Sequence, residues 1–351
     1  MWTSTTLAVL CGCTFLLTGP GFANGQLVTS FSGTYQGSTL TGDNGQPYNA
    51  FRGIPYAEPP TGDLRFKKTV PIAPFFGSVY NATEFGPFCM QDSTWIDIMG
   101  PGQEDCLYLN VFTPTSMPEG GTLRKVFVYI HGGSNLGGNS NTIFPGTLVT
   151  TFDLVVVTLN YRLGTFGFLS TLTPDCLGNF GLWDQIRALE WVRDNIQAFG
   201  GDPQAVTLGG ESAGAFDTSA LALSTGVQGL FQRVIVLSKA TGLSASGWND
   251  NPQVTTVRAA RSVGCIKQED KNPVTEADWT PVITCLKQLP AQRLANTSAL
   301  NFARTDVFSA VKDGDLFPYG VSLGIYLSIY LSIYLSIYLP IYLSIYLCLA
   351  L

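Results

Sequence analysis

Short apolar segments alternate with an amphipathic one through the middle of this chain. Residues 126–130, 154–159 and 234–237 are runs of β-branched and other apolar residues with the length of strands. Because these runs are almost continuously apolar, they are typical of a sheet that is covered on both faces. Between them, residues 183–192 carry an apolar side chain at every third position, which favours an amphipathic helix. The alternation predicts an α/β fold with a mostly parallel central sheet and helices on both of its faces.

The two ends of the chain differ from this middle part. Residues 1–25 contain a short apolar run followed by small residues, which predicts a secretory signal peptide, with a buried N-terminal element as the alternative. Residues 325–348 repeat Ile-Tyr-Leu-Ser six times, with Pro340 and Cys348 each in the place of a serine. The DNA repeat ATCT encodes this tetrapeptide in every reading frame, so we favour a translated microsatellite over an evolved membrane anchor. An uncharged segment of this length could nevertheless associate with a membrane.

Charge places the folded part of the chain between these ends. The 19 Lys and Arg residues and the 25 Asp and Glu residues all lie between Asp43 and Asp315. We therefore divide the chain into a leader at 1–25, a globular domain at 26–318 and a low-complexity segment at 319–351. The net charge of −6 and the pI near 4.8 argue against nucleic acid as a partner, because no basic surface is available for phosphates.

The predicted signal peptide implies a secreted, extracellular protein, in which disulfides and N-linked glycans can form. Five of the eight cysteines fall within 26–318, which allows at most two disulfides and one free thiol there. The sequons at Asn81 and Asn296 fit a secretory route. The chain has a single histidine and no Cys-x-x-Cys pair, so neither a metal site nor a cofactor is predicted.

A candidate nucleophile lies in the sequence Gly-Glu-Ser-Ala-Gly at 210–214. A strand-like run at 205–208 precedes it, and an Ala- and Leu-rich helical segment at 213–223 follows. A strand that turns sharply into a helix would present Ser212 above the sheet, with the N-terminus of the helix behind it. A plain glycine-rich turn is the alternative.

Acyl transfer by this serine also needs donors for a tetrahedral oxyanion. The N–H group of Ala213 would be one, and a Gly-rich loop after an earlier strand would supply the others. His-Gly-Gly-Ser at 131–134 follows the predicted strand 126–130 and occupies that place. We expect His131 to shape this loop rather than to act as the catalytic base.

Several longer motifs resemble the type-B carboxylesterase/cholinesterase family of α/β-hydrolases over roughly residues 30–318. They are Phe-Arg-Gly-Ile-Pro-Tyr-Ala-Glu-Pro-Pro at 51–60, Glu-Asp-Cys-Leu-Tyr-Leu-Asn at 104–110, Asn-Tyr-Arg-Leu-Gly at 160–164, Gly-Asn-Phe-Gly-Leu-Trp-Asp-Gln at 178–185, Phe-Gly-Gly-Asp-Pro at 199–203, and the Ser212 motif. The resemblance implies a hydrolase of small-molecule carboxylic esters that works through an acyl-enzyme on Ser212. It also implies the disulfides Cys89–Cys106 and Cys265–Cys285, a buried Arg65–Glu104 salt bridge, and Gly133, Ser134 and Ala213 as oxyanion donors.

The resemblance also predicts which catalytic residues this chain lacks. In the family, the catalytic acid and then the catalytic histidine follow the landmark that Asp-Gly-Asp-Leu-Phe-Pro at 313–318 resembles. Here the tetrapeptide repeat follows, and the one histidine precedes Ser212. We expect the C-terminal third of the fold, the acid and the base to be missing, so that the chain is a poor esterase at best with an unpaired sheet edge.

Two alternatives to a general carboxylesterase remain. A non-catalytic adhesion or binding module of the same family would tolerate the absent histidine. A cholinesterase would need an aromatic site for a quaternary ammonium group, and Trp95, between Cys89 and Cys106, could serve or could simply anchor its loop. Residues 303–306 read Ala-Arg-Thr-Asp where cholinesterases carry phenylalanines, so we favour a general carboxylic ester. The sequence does not indicate an oligomeric state.

Overall fold

The computed structural model describes residues 26–92, 100, 102–116, 121–141, 143, 145–238, 248–298 and 309–317. The predicted leader at 1–25, the candidate choline-binding Trp95 and the repeat segment at 319–351 lie outside the described residues. Within the described ranges, no helix has the length and apolar character needed to cross a membrane.

Ten strands and seven α-helices form the described part of the chain. The strands are β1 (Leu27–Ser30), β2 (Gly33–Gln36), β3 (Ser38–Thr41), β4 (Pro47–Pro55), β5 (Phe75–Asn81), β6 (Tyr108–Pro114), β7 (Arg124–Ile130), β8 (Val155–Leu159), β9 (Gly201–Glu211) and β10 (Arg233–Leu237). The helices are α1 (Gly146–Phe152), α2 (Gly164–Phe168), α3 (Phe180–Asn195), α4 (Ala213–Ala222), α5 (Pro252–Ser262), α6 (Glu276–Gln288) and α7 (Ala291–Ala295).

Seven of these strands form one central sheet in the order β10-β9-β7-β8-β6-β4-β3. The pairs β10–β9, β9–β7 and β7–β8 are parallel, whereas β8–β6, β6–β4 and β4–β3 are antiparallel. Strands β1, β2 and β5 form a separate small sheet. The predicted α/β class is confirmed, but the described central sheet is evenly mixed rather than mostly parallel. The parallel part holds the four apolar strands that the sequence indicated. The antiparallel part consists of the N-terminal strands β3, β4 and β6, in which polar and apolar residues are mixed.

Burial differs between the strands of the parallel part. All five residues of β8 are buried, because α1 packs a small apolar cluster on one face while the main core covers the other. In β7, Val126, Val128 and Ile130 face the main core, whereas Phe127 and Tyr129 on the opposite face are half-buried. Among the described strands, β10 pairs with β9 alone. The expected cover on both faces is thus complete over β8 and partial over β7 and β10.

The helix predicted at 183–192 forms the centre of α3. It begins after Asn179, whose left-handed backbone (φ 58°) turns the chain into the helix. The side chain of Asn179 is buried and donates to the carbonyl oxygen of Val311 at 2.8 Å and to Asp313 at 2.7 Å. Leu182, Ile186 and Leu189 pack into the main core beneath the parallel strands.

Both disulfides implied by the family resemblance are present. Cys89 bonds to Cys106, and Cys265 bonds to Cys285. The remaining described cysteine, Cys176, is buried, and its burial raises the pKa of the thiol to about 12. A thiol with so little thiolate is a packing residue rather than a reactive one.

Two ion pairs lie in the interior. Arg65 contacts Glu104 through Nε at 2.7 Å and Nη2 at 2.5 Å, as the resemblance implies. Arg162 and Asp184 are both almost fully buried, and two nitrogens of the guanidinium group lie 2.7 Å from the two carboxylate oxygens. Since Asp184 also accepts from the Arg162 N–H group at 3.0 Å and from Thr69, its charge is fully satisfied by this arrangement.

We expect Arg162→Ala to lower the free energy of unfolding by about 3–5 kcal/mol, because it leaves the Asp184 carboxylate buried without its partner. Arg193→Ala is the control, since Arg193 is half exposed and pairs with the adjacent Asp194. The control should cost less than about 1 kcal/mol. Urea unfolding of both variants measures the difference, and equal losses would contradict the role given to the buried pair.

Candidate active site

The candidate nucleophile Ser212 lies at the sharp connection between β9 and α4. Its backbone has φ 55° and ψ −117°, a conformation that is strained for a residue other than glycine. The Ser212 N–H group donates to the carbonyl oxygen of Leu237 on β10 at 2.9 Å, and its own carbonyl oxygen accepts from Phe216 at 3.0 Å. The surrounding backbone therefore fixes the strained residue between the sheet and the first turn of α4.

Two glycines allow this connection to be as tight as it is. A Cβ atom on Gly210 would lie 2.3 Å from the carbonyl group of Gly214, and one on Gly214 would lie 2.2 Å from the carbonyl oxygen of Ile130. No side chain fits at such distances, and the neighbours are backbone atoms that cannot move aside independently. The glycines thus permit the N-terminus of α4 to pack directly on the end of β7.

The predicted oxyanion segment at 131–134 lies in a turn at residues 131–137, which begins at that same end of β7 and is called the oxyanion loop below. Gly133 has φ 108°, and its carbonyl oxygen accepts hydrogen bonds from Leu136 at 2.9 Å and Gly137 at 3.1 Å. A Cβ atom on Gly132 would lie 3.2 Å from the Cβ atom of Ser212, so the loop and the candidate nucleophile are in contact. The loop is therefore a compact turn beside the serine, and its role in binding an oxyanion stays a prediction.

The three candidate oxyanion donors are next to these contacting residues along the chain. Gly133 and Ser134 belong to the loop, and Ala213 is the first residue of α4. The N–H groups of a helix's first turn have no acceptor within the helix. Because the positive end of the helix dipole lies there as well, negative charge that develops beside Ser212 would be favoured.

The single histidine of the chain is part of the loop and not a partner of Ser212. His131 is buried, stacks on Tyr161 with ring centroids 4.5 Å apart, and makes a 2.8 Å hydrogen bond between Nδ1 and the carbonyl oxygen of Gly132. Its Nε2 atom has no hydrogen-bond partner among the described residues. Burial lowers the pKa of His131 to about 4, so the ring is neutral at physiological pH.

Asp217 is a buried acid beside this site that the sequence reasoning missed. It lies on α4, and its two carboxylate oxygens accept hydrogen bonds from Asn135 at 2.9 Å and Gln185 at 2.6 Å. Burial raises the pKa of Asp217 to about 7, although the two amide contacts lower it in part. A charged residue inside an otherwise Ala- and Leu-rich helix was the sequence signal that could have identified it.

The predicted glycosylation sites and the residue before the candidate nucleophile lie on the surface. Asn81 and Asn296 are exposed, and Glu211, which precedes the candidate nucleophile, is exposed beside the loop. Across the described ranges, no cluster of His, Cys, Asp and Glu side chains could hold a metal ion. The candidate site combines the Ser212 hydroxyl group, the backbone of the loop and the N-terminus of α4.

A mixed sheet with a serine on a strand-to-helix elbow and a Gly-rich loop beside it defines an α/β-hydrolase. The chain belongs to the carboxylesterase family, whose model matches residues 24–322. The resemblance that was drawn from the sequence motifs is therefore confirmed.

Curated relatives of the chain include enzymes and one protein whose name does not describe an enzyme. The chain is 44% identical to acetylcholinesterase-1 of Trittame loki over 289 residues, which are 78% of this chain and 50% of that protein. It is 40% identical to juvenile hormone esterase of Tribolium castaneum over 276 residues, 78% of this chain and 45% of the relative. It is 36% identical to neuroligin-3 of Mus musculus over 313 residues, 78% of this chain and 36% of the relative. The chain thus spans half or less of the length of these relatives.

We expect Gly214→Ala to destabilise the protein by roughly 1–3 kcal/mol, because the added methyl group would force α4 away from the Ile130 carbonyl oxygen. Ser219→Ala, at a half-buried position of the same helix, should change stability by about 0.5 kcal/mol or less. Thermal melting followed by circular dichroism compares the two variants. A Gly214→Ala protein that melts like the wild type would show that the close approach is not required.

Proposed function

We propose that this chain carries the nucleophile and oxyanion-binding part of a serine hydrolase that acts on small-molecule carboxylic esters. The observation that supports this most strongly is the contact between Ser212 on its strained elbow and the Gly-rich loop at the end of β7. Sequence similarity to an acetylcholinesterase and to a juvenile hormone esterase supports the same reaction class.

In the proposed reaction the Ser212 Oγ atom attacks the carbonyl carbon of the ester. The carbonyl oxygen becomes an oxyanion that accepts hydrogen bonds from the N–H groups of Gly133, Ser134 and Ala213, the alcohol leaves, and an acyl-serine remains. Water then attacks the acyl-serine, releases the carboxylic acid and restores the Ser212 hydroxyl group. The chain's own contribution is to fix the serine and the donors before the substrate arrives, which is where most of the stabilisation of an oxyanion originates.

The proton of Ser212 needs an acceptor that the described site does not provide. His131 is neutral and buried, and its ring bonds to its own loop. In this fold the order along the chain is serine, acid, histidine, and these 351 residues contain no histidine after Ser212. We therefore expect the polypeptide of these residues to acylate Ser212 slowly.

We further propose that the protein is extracellular and glycosylated at Asn81 and Asn296. The two disulfides are the kind of cross-link that persists in an oxidising compartment. Both asparagines are exposed, so the native surface has room for glycans. The globular domain at 26–318 and the leader at 1–25 remain predictions from the sequence.

A fluorophosphonate probe tests the proposed nucleophile, because it forms a covalent bond with an activated serine. We expect labelling of the full chain at Ser212 that Ser212→Ala abolishes, at a rate at least about 10⁴-fold below that of a complete serine esterase. Added imidazole should accelerate the labelling of the wild type, since it supplies the missing general base from solution.

The outcomes separate the proposed function from its alternatives. Labelling at the rate of a complete esterase would contradict the expectation that a base is missing. A folded chain that is not labelled at Ser212, even with imidazole, would overturn the hydrolase proposal. That result would favour a non-catalytic binding module, a role with which the similarity to neuroligin-3 is compatible.

A further inference from the structure

The buried carboxyl group of Asp217 has no part in the proposed reaction, yet it connects the elements that form the site. Asp217 lies five residues after Ser212 on α4 and is fully buried. Its Oδ1 atom accepts from Nδ2 of Asn135 in the oxyanion loop, and its Oδ2 atom accepts from Nε2 of Gln185 on α3. One carboxyl group therefore joins the helix of the elbow, the oxyanion loop and the neighbouring helix.

Asn135 holds the part of the loop that would carry the oxyanion donors. Ser134 and Asn135 are consecutive left-handed residues, with φ 59° and 57°. The Oδ1 atom of Asn135 accepts from the Tyr161 hydroxyl group at 3.0 Å, while its Nδ2 atom donates to Asp217. The backbone carbonyl oxygen of Asn135 accepts from the Gly164 N–H group at 2.6 Å. Left-handed residues other than glycine persist where the surroundings hold them, and here these contacts do so.

We propose that Asp217 is a positioning residue for the oxyanion loop: through Asn135 it holds the backbone of Gly133 and Ser134 beside Ser212. The role of the loop in catalysis rests on the proposed function, whereas the effect of Asp217 on the loop can be measured without it.

The amide of Gln185 allows both protonation states of Asp217. Its Oε1 atom is buried and has no hydrogen-bond partner in the described part of the chain. The ionised carboxyl group accepts from Nε2, and after rotation of the amide a protonated carboxyl group could donate to Oε1 instead. The contact with Asn135 persists in both states, but it is charge-assisted, and therefore stronger, only when Asp217 is ionised.

Burial with two neutral amide contacts accounts for a pKa of Asp217 near 7. The phenol of Tyr161 interacts electrostatically with Asp217, and the neutral His131 stacks on that phenol. The charged side chains of α3 are in ion pairs, namely Arg162–Asp184, Arg187–Glu190 and Arg193–Asp194. The strands packed against α4 carry Asp202 and Glu211 on β9, Arg233 on β10, and Arg124, Lys125 and Tyr129 on β7. The raised pKa shows that burial of the carboxylate outweighs the two hydrogen bonds that favour its ionised form. Opening of the loop would let water reach the carboxylate and lower its pKa, so the loop should be held less tightly as pH rises towards about 7.

Amide hydrogen exchange of the full chain, read by mass spectrometry, tests the proposal. The Leu136 and Gly137 N–H groups report on the loop, because both donate to the Gly133 carbonyl oxygen. We expect Asp217→Leu to accelerate their exchange about tenfold while β7 and β9 stay protected. The matched control is Thr218→Val, because Thr218 is the next residue of α4 and its buried hydroxyl group has no partner among the described residues. The control should leave the loop unchanged.

The pH profile is the readout that a merely structural role would not change. After correction for intrinsic exchange, protection of the loop in the wild type should fall at least a few-fold as pH rises towards about 7, because the ionised carboxyl group favours the open, hydrated loop. Asp217→Asn can keep its contacts by rotating the amides around it, but it cannot ionise, so its profile should be flat.

The double variant Asn135→Asp with Asp217→Asn should restore the pH dependence. The amide introduced at position 217 could then donate to the new carboxylate at position 135 while accepting from Gln185, and that carboxylate could still accept from Tyr161. This comparison decides the question even if Asp217→Leu does not fold.

Three results would overturn the proposal. They are unchanged exchange of the loop in a folded Asp217→Leu variant, equal loosening of the loop and the whole sheet, or the same pH profile in Asp217→Asn and the wild type. Fluorophosphonate labelling of Ser212, measured in parallel, judges the proposed function separately. A loop that responds to Asp217 in a chain that is never labelled would preserve the positioning role and reject the hydrolase.

Discussion

The structure of the candidate site depends on the direct packing of the α4 N-terminus against the end of β7. A carbonyl oxygen of β7 lies where a side chain of Gly214 would otherwise be. Because β7 and β9 are parallel neighbours, both strands end at the same edge of the sheet. The close approach brings the segments that follow the two strands into contact. This backbone packing therefore brings the loop after β7 and the serine after β9 together, and the Asn135–Asp217 contact then joins the loop to α4.

That packing also explains why a carboxyl group is buried beneath the site. The first turns of α4 lie against the sheet on one side and α3 on the other, so a side chain five residues after Ser212 points into the interior. A polar side chain there must find partners, and Asn135 and Gln185 are the amides within reach. An apolar residue would satisfy the core equally well, but it would leave the left-handed Asn135 held on one side alone.

Much of the fold and part of the site could be predicted from the sequence, and the physical reason differs between them. Apolar runs and helical spacing are local patterns, so β7, β8, β10 and α3 were predicted to within a few residues at each end. The antiparallel half of the sheet was not predicted, because β3, β4 and β6 mix polar and apolar residues with no clear period. The elbow and the loop have compact motifs, whereas the Asn135–Asp217 contact joins residues 82 positions apart and has no local signature.

The polar groups near Ser212 account for one part of the proposed reaction and not for the other. In the proposed reaction, the backbone N–H groups of the loop and the N-terminus of α4 would favour negative charge beside Ser212. Proton removal needs a base instead, and the one imidazole is neutral, buried and bonded within its own loop. Stabilisation of the oxyanion and activation of the serine are therefore separate tasks in this fold. Under the proposed function, the described residues serve the first task and offer no histidine for the second, so formation of the acyl-serine is the step that would limit the rate.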